Sequence, residues 1–253
     1  MRYRPDKHRL PPFNMDGVLL VDKAPDWTSF DVVNFLKNRF NIPKIGHCGT
    51  LDPAATGLLV IVCGKFTRLS GMLSADSKVY ETRLLLGVKT DTDDMEGKII
   101  EERPTDNLDK LTVEKAIYSF VGDSMQIPPM VSAIKKDGKK LYELARKGIE
   151  IEREPRPIHI SKIDIHSVDL PEAHFTVHCS KGTYIRSLCA DIGTKLGNVG
   201  TLKELRRTAS GKFSIEDAIT LEKLKTMEQS DLAVLMRQFL VDKLSLEMLG
   251  GKL

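Results

Sequence analysis

The sequence is poor in cysteine and has no long apolar run. Its four cysteines lie far apart, and none of them belongs to a C-x-x-C pair. That spacing argues against a disulfide scaffold and against a structural zinc site. No stretch approaches the ~20 apolar residues of a membrane-spanning helix, and residues 1–13 are basic without a hydrophobic segment behind them. We therefore expect a cytoplasmic protein that is neither secreted nor inserted in a membrane.

Several cofactor motifs are absent as well. The phosphate-binding pattern G-x-x-x-x-G-K-(S/T) does not occur, and no G-x-G-x-x-G follows a predicted strand and opens a helix. The histidines show neither H-E-x-x-H nor H-x-E spacing. We expect no metal, and nucleotide binding through these motifs is disfavoured.

Composition and charge indicate an ordinary globular protein with an uneven distribution of charge. The chain has 253 residues, 41% of them hydrophobic and 29% charged, which suits one or two domains and excludes disordered and fibrous classes. Residues 135–212 carry 16 basic and 10 acidic side chains, whereas residues 81–110 carry 5 basic and 9 acidic. A basic face on a near-neutral protein is typical of binding to a phosphate backbone. A solvated surface that binds nothing explains the same charges.

Strand and helix patterns interleave along most of the chain, which predicts an α+β or mixed α/β class. The predicted strands have apolar runs or strict alternation, and they cover residues 17–21, 58–63, 79–88, 158–165 and 175–179. Helices are predicted to start at the caps Ser29, Thr112 and Thr183, and a terminal helix is predicted over residues 230–249. The acidic segment 91–97 is expected to be a solvent-exposed loop.

The helix predicted after Thr183 has an apolar stripe that should face the core. Tyr184 and Arg186 lie in its first turn and off that stripe. We therefore expect both side chains to reach outward from a rigid element.

The densest candidate for chemistry is the glycine-rich segment 46–57, which leads into a predicted buried strand. Its one carboxylate, Asp52, precedes Pro53, and a proline pushes the residue before it toward an extended backbone. A carboxylate held in this way can act as a general base or as a nucleophile. An Asp-Pro turn without any chemistry fits the same residues. His47 and Cys48 do not form a thiol–base pair, because adjacent side chains of an extended chain point to opposite faces.

This segment resembles the G-H-x-G-(T/A)-L-D-P-x-A-x-G box of the TruB family of tRNA pseudouridine synthases, with Cys48 at a variable position. Further matches follow in family order and extend from about Gly17 to about Leu224. They are residues 17–23, 78–80, 87–93, 127–133, 138–142, 179–186 and 205–207.

The resemblance implies roles for seven residues of this chain. Asp52 is implied to be the catalytic aspartate, Tyr80 to stack on the target base, and Arg186 to pair with the aspartate, which keeps a carboxylate ionised. Four further residues are implied to bind the substrate. They are His47, which contacts the RNA loop and helps to hold flipped bases, Lys23, which lies near the active site, and Tyr184 and Leu205, which line the uracil pocket. For Tyr80, Tyr184 or Leu205 taken singly, core packing is the simpler interpretation.

The implied reaction is the isomerisation of uridine 55 in the TΨC loop of tRNA to pseudouridine. No cofactor is needed, because base and sugar both stay in the RNA. The uridine should be flipped out of its loop into a pocket. The implied partner is the TΨC stem-loop of tRNA, bound by a monomer that needs neither a protein partner nor a membrane.

Candidate contacts to the RNA backbone are residues 135–140, Arg146, Lys147 and residues 203–207. Two other functions stay open at this point. One is the catalytic subunit of an RNA-guided pseudouridylation particle, and the other is a factor that binds and folds tRNA.

The resemblance also implies the fold, an α+β pseudouridine synthase fold with a mixed, mostly antiparallel central sheet flanked by helices and loops. Residues 1–224 should form the catalytic domain. Residues 225–253 should form a short helical tail, without a complete RNA-binding domain of the PUA type. RNA affinity would then come from the catalytic domain itself and fall with added salt.

Overall fold

The computed structural model describes residues 10–132, 134–136, 138–145 and 148–243. The chain divides into two compact units, each with its own core. Unit 1 comprises Met1–Asp76 and Arg206–Leu253, and unit 2 comprises Ser77–Leu205.

Strands and helices are interleaved along the chain, which confirms the predicted α+β class. The strands are β1 (Gly17–Lys23), β2 (Ile45–Cys48), β3 (Thr56–Cys63), β4 (Lys78–Leu86), β5 (Val88–Thr90), β6 (Ile99–Glu102), β7 (Gly122–Gln126), β8 (Lys135–Lys136), β9 (Lys139–Lys140), β10 (Arg156–Asp169), β11 (Glu172–Cys179), β12 (Gly200–Ser210), β13 (Phe213–Ser214) and β14 (Ile219–Thr220). The helices are α1 (Ser29–Arg39), α2 (Ser70–Ser74), α3 (Lys110–Tyr118), α4 (Leu141–Ala145), α5 (Ile185–Lys195), α6 (Leu221–Thr226) and α7 (Gln229–Lys243). Short 3-10 helices cover Gly64–Leu69 and Ile215–Asp217.

Every predicted strand overlaps an observed one. The predicted terminal helix corresponds to α7, and its residues 244–249 lie outside the described residues. None of the helices in the described ranges is long and apolar enough to cross a membrane.

The predicted cap of the first helix was wrong by one residue. Thr28 caps α1: its hydroxyl accepts from the Asp31 N–H at 3.0 Å, and the Asp31 carboxylate accepts from the Thr28 N–H at 3.0 Å. This reciprocal pair is a capping box, which satisfies two backbone donors at once. Ser29 is therefore the first residue of the helix, and its buried hydroxyl bonds the backbone of Leu51.

The other two predicted caps were also wrong. Asp109 caps α3 by accepting from the Thr112 N–H at 2.9 Å, so Thr112 is the donor of that cap. Helix α5 begins at Ile185 and has Tyr184 at the cap position without a side-chain bond. The Thr183 hydroxyl donates instead to the Ser180 carbonyl at 3.0 Å.

Unit 1 is built around β3, which is buried over almost its whole length. β3 pairs antiparallel with β1 and with β2, and in parallel with the end of β12. β14 adds a parallel pair to β1. Side chains of β1 and β3 pack with Phe66, Leu73 and Phe213 into one apolar cluster. The chain between β2 and β3 is therefore anchored at both ends on paired strands, of which β3 is buried.

Unit 2 contains four antiparallel strands in the order β4, β11, β10, β7, and two small hairpins, β5 with β6 and β8 with β9. Alternation gives the strands a buried face: in β11, Phe175 and Val177 are buried, whereas His174 and Thr176 are only partly covered. The buried face packs against α3 and α5 through residues such as Ile117 and Leu188. Most described strand pairs in the two units are antiparallel and two are parallel, which confirms the predicted mixed, mostly antiparallel pairing.

Two glycines bring α5 into close contact with the start of β12. A Cβ added to Gly193 would lie 2.3 Å from the nitrogen of Gly200, and one added to Gly200 would lie 2.7 Å from the Cys189 carbonyl oxygen. Only residues without a side chain allow this approach. The contact fixes the helix that carries Arg186.

Candidate active site

Asp52 lies half-buried in the connection between β2 and β3. Residues 49–55 form a loop mounted on the core strand β3, as predicted, whereas residues 46–48 belong to β2. Gly57, where the loop enters β3, has φ +99° and lies against Arg207, because an added Cβ would be 2.3 Å from the Arg207 carbonyl oxygen. This position requires glycine.

All five backbone carbonyls of residues 49–53 have hydrogen-bond partners. Gly49 and Thr50 accept from the Arg207 guanidinium at 3.1 and 3.5 Å. The remaining three pairs are Leu51 with the Ser29 hydroxyl at 3.1 Å, Asp52 with the Ala55 N–H at 3.2 Å, and Pro53 with the Lys23 ammonium at 2.9 Å. Side chains from β1, α1 and β12 therefore fix the backbone that carries the Asp52 carboxylate.

Ser29 holds the residue directly before Asp52. Its hydroxyl accepts from the Leu51 N–H at 2.8 Å and donates to the Leu51 carbonyl at 3.1 Å. Ser29 and Leu51 are both buried. A buried backbone group without a partner is costly, so this pair stabilises one conformation of the loop.

Lys23, implied by the resemblance to bind substrate, is fully buried. Its ammonium donates to the carbonyls of Ala24, Trp27 and Pro53 at 3.0, 2.6 and 2.9 Å. The described hydrogen bonds of Lys23 thus go to protein backbone, and one of them holds Pro53, the residue directly after Asp52. A lysine ammonium has three donors, and these carbonyls match that number.

His47 lies on β2, half-buried, opposite Ile61 of β3. Burial lowers the pKa of His47 below its usual 6.5, and the nearby Arg207 charge lowers that pKa further. The imidazole is therefore neutral at pH 7, when it can stack on a base or donate and accept hydrogen bonds. Cys48 is buried in the apolar cluster of unit 1, as expected for a side chain that points away from His47.

Arg186, in the first turn of α5, is buried, which corrects the expectation that it reaches outward. Its guanidinium donates to the carbonyls of Thr92 at 3.1 Å and Val131 at 2.8 Å. It also forms an ion pair with Asp94 at 3.4 Å. The sequence pattern located this residue off the apolar stripe correctly, but a loop and an extended segment cover that side of the helix.

The acidic segment 91–97 is not simply an exposed loop, because Asp94 is buried. The Asp94 carboxylate accepts from the Thr92 hydroxyl at 2.6 Å and from the Glu96 N–H at 3.1 Å, besides pairing with Arg186. Burial raises the pKa of Asp93, and the charge of Arg186 partly opposes that rise. The segment therefore supplies the counter-charge of the buried arginine.

Tyr184 is half-buried at the start of α5, where Gln126 holds its backbone from both sides. The Tyr184 N–H donates to the Gln126 side-chain oxygen at 2.8 Å, and the Gln126 amide donates to the Tyr184 carbonyl at 3.0 Å. Tyr80 of β4 and Leu205 of β12 are also half-buried and pack against the apolar core of unit 2. Tyr80, Leu205 and α5 thus share one core.

Each unit brings together part of the residue set implied by the resemblance. Unit 1 holds Lys23, His47 and Asp52, and unit 2 holds Tyr80, Tyr184, Arg186 and Leu205. The supporting role of four side chains was not predicted: Ser29, Asp94, Gln126 and Arg207. Their residue types occur throughout the chain, and only contacts between distant positions distinguish them.

The basic residues proposed to contact an RNA backbone have different environments. Arg207 is 1% exposed, so it cannot reach an RNA backbone, and that expectation was wrong. Arg206 forms a two-pronged ion pair with Asp22 at 3.0 and 2.7 Å, and Lys203 pairs with Glu172. Arg146 and Lys147 lie outside the described residues. Lys135–Lys136 and Lys139–Lys140 are the two strands of the β8–β9 hairpin, which place Lys135 opposite Lys140.

Family models match most of the chain. The model described as TruB family pseudouridylate synthase (N terminal domain) matches residues 37–185, and the tRNA pseudouridylate synthase B C-terminal domain matches residues 186–242. The tRNA pseudouridine synthase B of Clostridium tetani is 51% identical over 208 residues, which cover 82% of this chain and 72% of that protein. The protein of the same name from Opitutus terrae is 44% identical over 217 residues, covering 86% and 90%.

Solved structures of related chains have the same fold. A chain from a Cbf5-Nop10-Gar1 complex superposes with a TM-score of 0.66 at 28% identity, covering 90% of this chain and 56% of its own length. A chain from an H/ACA RNP bound to a substrate RNA containing 2'-deoxyuridine has a TM-score of 0.62 at 28% identity, covering 82% and 52%. The present chain thus spans just over half of each of these. The likenesses confirm the fold predicted from the sequence.

Proposed function

The chain belongs to the TruB family of pseudouridylate synthases, and on that premise we propose that it converts uridine 55 in the TΨC loop of tRNA to pseudouridine. Relatives at 44–51% identity carry the name tRNA pseudouridine synthase B, which supports tRNA as the substrate. The observation that carries the proposal is the loop 49–53, whose backbone carbonyls are all hydrogen-bonded. That bonding fixes the backbone on which the Asp52 carboxylate is mounted.

The reaction breaks the bond from N1 of uracil to C1′ of the ribose and forms a bond from C5 to C1′. The base turns between these two events, and the hydrogen on C5 leaves as a proton while N1 gains one. Every heavy atom of the nucleotide is retained, so the overall change needs no redox partner. Catalysis consists of holding the base and supplying a charge and a proton acceptor at the right atoms.

In this proposal Asp52 is the catalytic carboxylate, and Arg186 supplies the positive charge that keeps it ionised. Tyr80 stacks on the target uracil, beside Tyr184 and Leu205, which line its pocket. The geometry of unit 2 supports Arg186 in this role, because Asp94 and two carbonyls already orient its guanidinium. An oriented donor loses little entropy when it acts.

Binding of the TΨC loop of the tRNA requires the uridine to leave its stack, which costs a few kcal/mol. His47, neutral at pH 7, is suited to occupy the space of a flipped base by stacking. The two strands of the β8–β9 hairpin consist of four lysines, and we propose that this hairpin contacts the RNA backbone. Lys23 supports the loop that carries Asp52 by donating a hydrogen bond to the carbonyl of Pro53.

The proposal is tested by single-turnover conversion of an unmodified tRNA, with RNA binding measured in the same samples. Asp52→Asn should bind tRNA like the wild type and lose roughly 10² to 10⁴-fold in rate, the range of a positioned acid or base. Asp106→Asn, at an exposed position of unit 2, is the matched control and should convert normally. If wild type and Asp52→Asn both bind and neither converts the uridine, a guide-dependent or tRNA-folding function replaces the proposal.

A further inference from the structure

Arg207 is one of the largest fully buried side chains in the described part of the protein. We propose that Arg207 is a positioning residue of the catalytic loop, whose guanidinium ties the two ends of the loop together and thereby aims the Asp52 carboxylate. The inference rests on the proposed function only in that Asp52 is taken as the catalytic group.

The first support is the set of atoms that Arg207 binds. Its Nε donates to the Leu58 carbonyl at 2.7 Å, and its two terminal nitrogens donate to the carbonyls of Thr50 at 3.5 Å and Gly49 at 3.1 Å. Gly49 and Thr50 precede Asp52, and Leu58 follows it on β3. One planar group therefore holds the entry and the exit of the loop.

The second support is the cost of this arrangement. All described acceptors of Arg207 are carbonyls and none is a carboxylate. Burying a charge without an opposite charge is expensive, and a well-packed apolar side chain commonly replaces such a group without loss of stability. The presence of a cation at this position therefore points to a task beyond packing.

The third support is that Lys23 and Ser29 hold other residues of the same loop. Lys23 holds the carbonyl of Pro53, and Ser29 holds both backbone groups of Leu51. Neither of them contacts Gly49 or Thr50 in the described hydrogen bonds. Removing Arg207 should therefore release the entry of the loop while the segment around Asp52 stays attached, which alters direction without unfolding the unit.

Arginine suits this position better than lysine. A guanidinium presents five donors in a rigid plane, whereas an ammonium is a compact charge on a flexible stem. The three acceptors belong to chain positions 49, 50 and 58. We expect Arg207→Lys to satisfy fewer of them at once and to leave the loop partly free.

The test compares Arg207→Ala and Arg207→Lys with Arg39→Ala. Arg39 is a matched control, because it too donates to backbone carbonyls of unit 1, those of Lys225 and Met227, away from the loop. We expect the single-turnover rate of Arg207→Ala to fall about 100-fold, the effect of a displacement near 1 Å. Affinity for tRNA should change less than about threefold, since a residue buried to this degree does not touch RNA.

Chemical rescue distinguishes positioning from a general loss of structure. Millimolar methylguanidinium should restore part of the rate of Arg207→Ala, whereas methylammonium, which matches the lysine head group, should not. Amide exchange of residues 49–53 should rise in both Arg207 variants and fall again with methylguanidinium. This exchange measurement does not depend on catalysis.

Three results would overturn the proposal: an unchanged rate in a folded Arg207 variant, a loss of tRNA affinity equal to the loss of rate, or equal rescue by methylguanidinium and methylammonium. If Arg207→Ala does not fold, Arg207→Lys and the exchange data decide. Failure of the proposed function gives a different pattern, because wild-type protein would then form no pseudouridine while residues 49–53 still lost protection in the variants.

Discussion

Replacing Asp94 by asparagine removes the negative charge beside Arg186 and keeps the size of the side chain. The carboxylate lies 3.4 Å from the guanidinium, and the two side chains are 12% and 4% exposed. The asparagine amide could keep the bonds from the Thr92 hydroxyl and the Glu96 N–H, but its nitrogen would then face the guanidinium. Arg186 would keep its two carbonyl acceptors.

These contacts set the loss of unfolding free energy that the substitution causes. A hydrogen bond to a charged group contributes about 1.5–3 kcal/mol, and removing one partner of a buried ion pair costs about 3–5 kcal/mol. The 3.4 Å separation and the remaining carbonyl partners of Arg186 put this case near the lower end. We therefore expect Asp94→Asn to lower the free energy of unfolding by about 2 kcal/mol. The single-turnover rate should fall about 10-fold or more, because Arg186 loses the group that orients it.

Urea denaturation and amide exchange of α5 measure the loss of unfolding free energy, and conversion of unmodified tRNA measures the single-turnover rate. Asp91→Asn is the matched control, since Asp91 lies in the same segment, is exposed, and accepts only from the Lys98 N–H at 2.8 Å among its described side-chain bonds. That control should lose less than about 1 kcal/mol. Equal losses for the two variants, or full activity of Asp94→Asn, would refute the assignment of Asp94 as the group that orients Arg186.

Three further predictions concern the supports of the site. Ser29→Ala should destabilise the protein by about 1–3 kcal/mol, because both buried backbone groups of Leu51 lose their partner; a thermal melt and the exchange rate of the Leu51 amide check this. His47 has a pKa below 6.5 in the folded protein, so its stabilising contribution is complete above pH 6.5 and declines as pH falls below it. His47→Gln should flatten that part of the curve of unfolding free energy against pH, and an unchanged curve would contradict the prediction. Gly193→Ala should cost more than about 3 kcal/mol, because the new Cβ would lie 2.3 Å from the nitrogen of Gly200. Gly71→Ala, in open space on α2, should leave the melting temperature unchanged or raise it.

The elements of this fold follow largely from local pattern. β3 is a continuous apolar run and β11 alternates strictly, so both strands could be predicted without any knowledge of their neighbours. The helix starts were predicted less well. At residues 28 and 29 either hydroxyl can cap α1. Asp31 completes a capping box only with Thr28, and Leu51, which is distant in the sequence, bonds the Ser29 hydroxyl.

Local sequence predicts the environment of charged residues even less well than it predicts helix starts. Arg206 and Arg207 are adjacent and were expected to face an RNA backbone together. In the structure Arg206 pairs with Asp22, whereas Arg207 is buried beneath the loop that carries Asp52. Composition counts both residues as equal positive charges, because it contains no information about which of them meets solvent.

The sequence by itself determined the family, the loop that carries Asp52, and the strands that have an apolar run or a strict alternation. Those features depend on neighbours in the chain: a motif, an apolar run, or an alternation. Only the tertiary structure decided which polar side chains are buried and what they hold. Arg207 and Thr50 are 157 positions apart, and a buried cation is stable only where folding collects enough acceptors around it. The supports of the site, unlike its motif, therefore become visible only when distant parts of the chain meet.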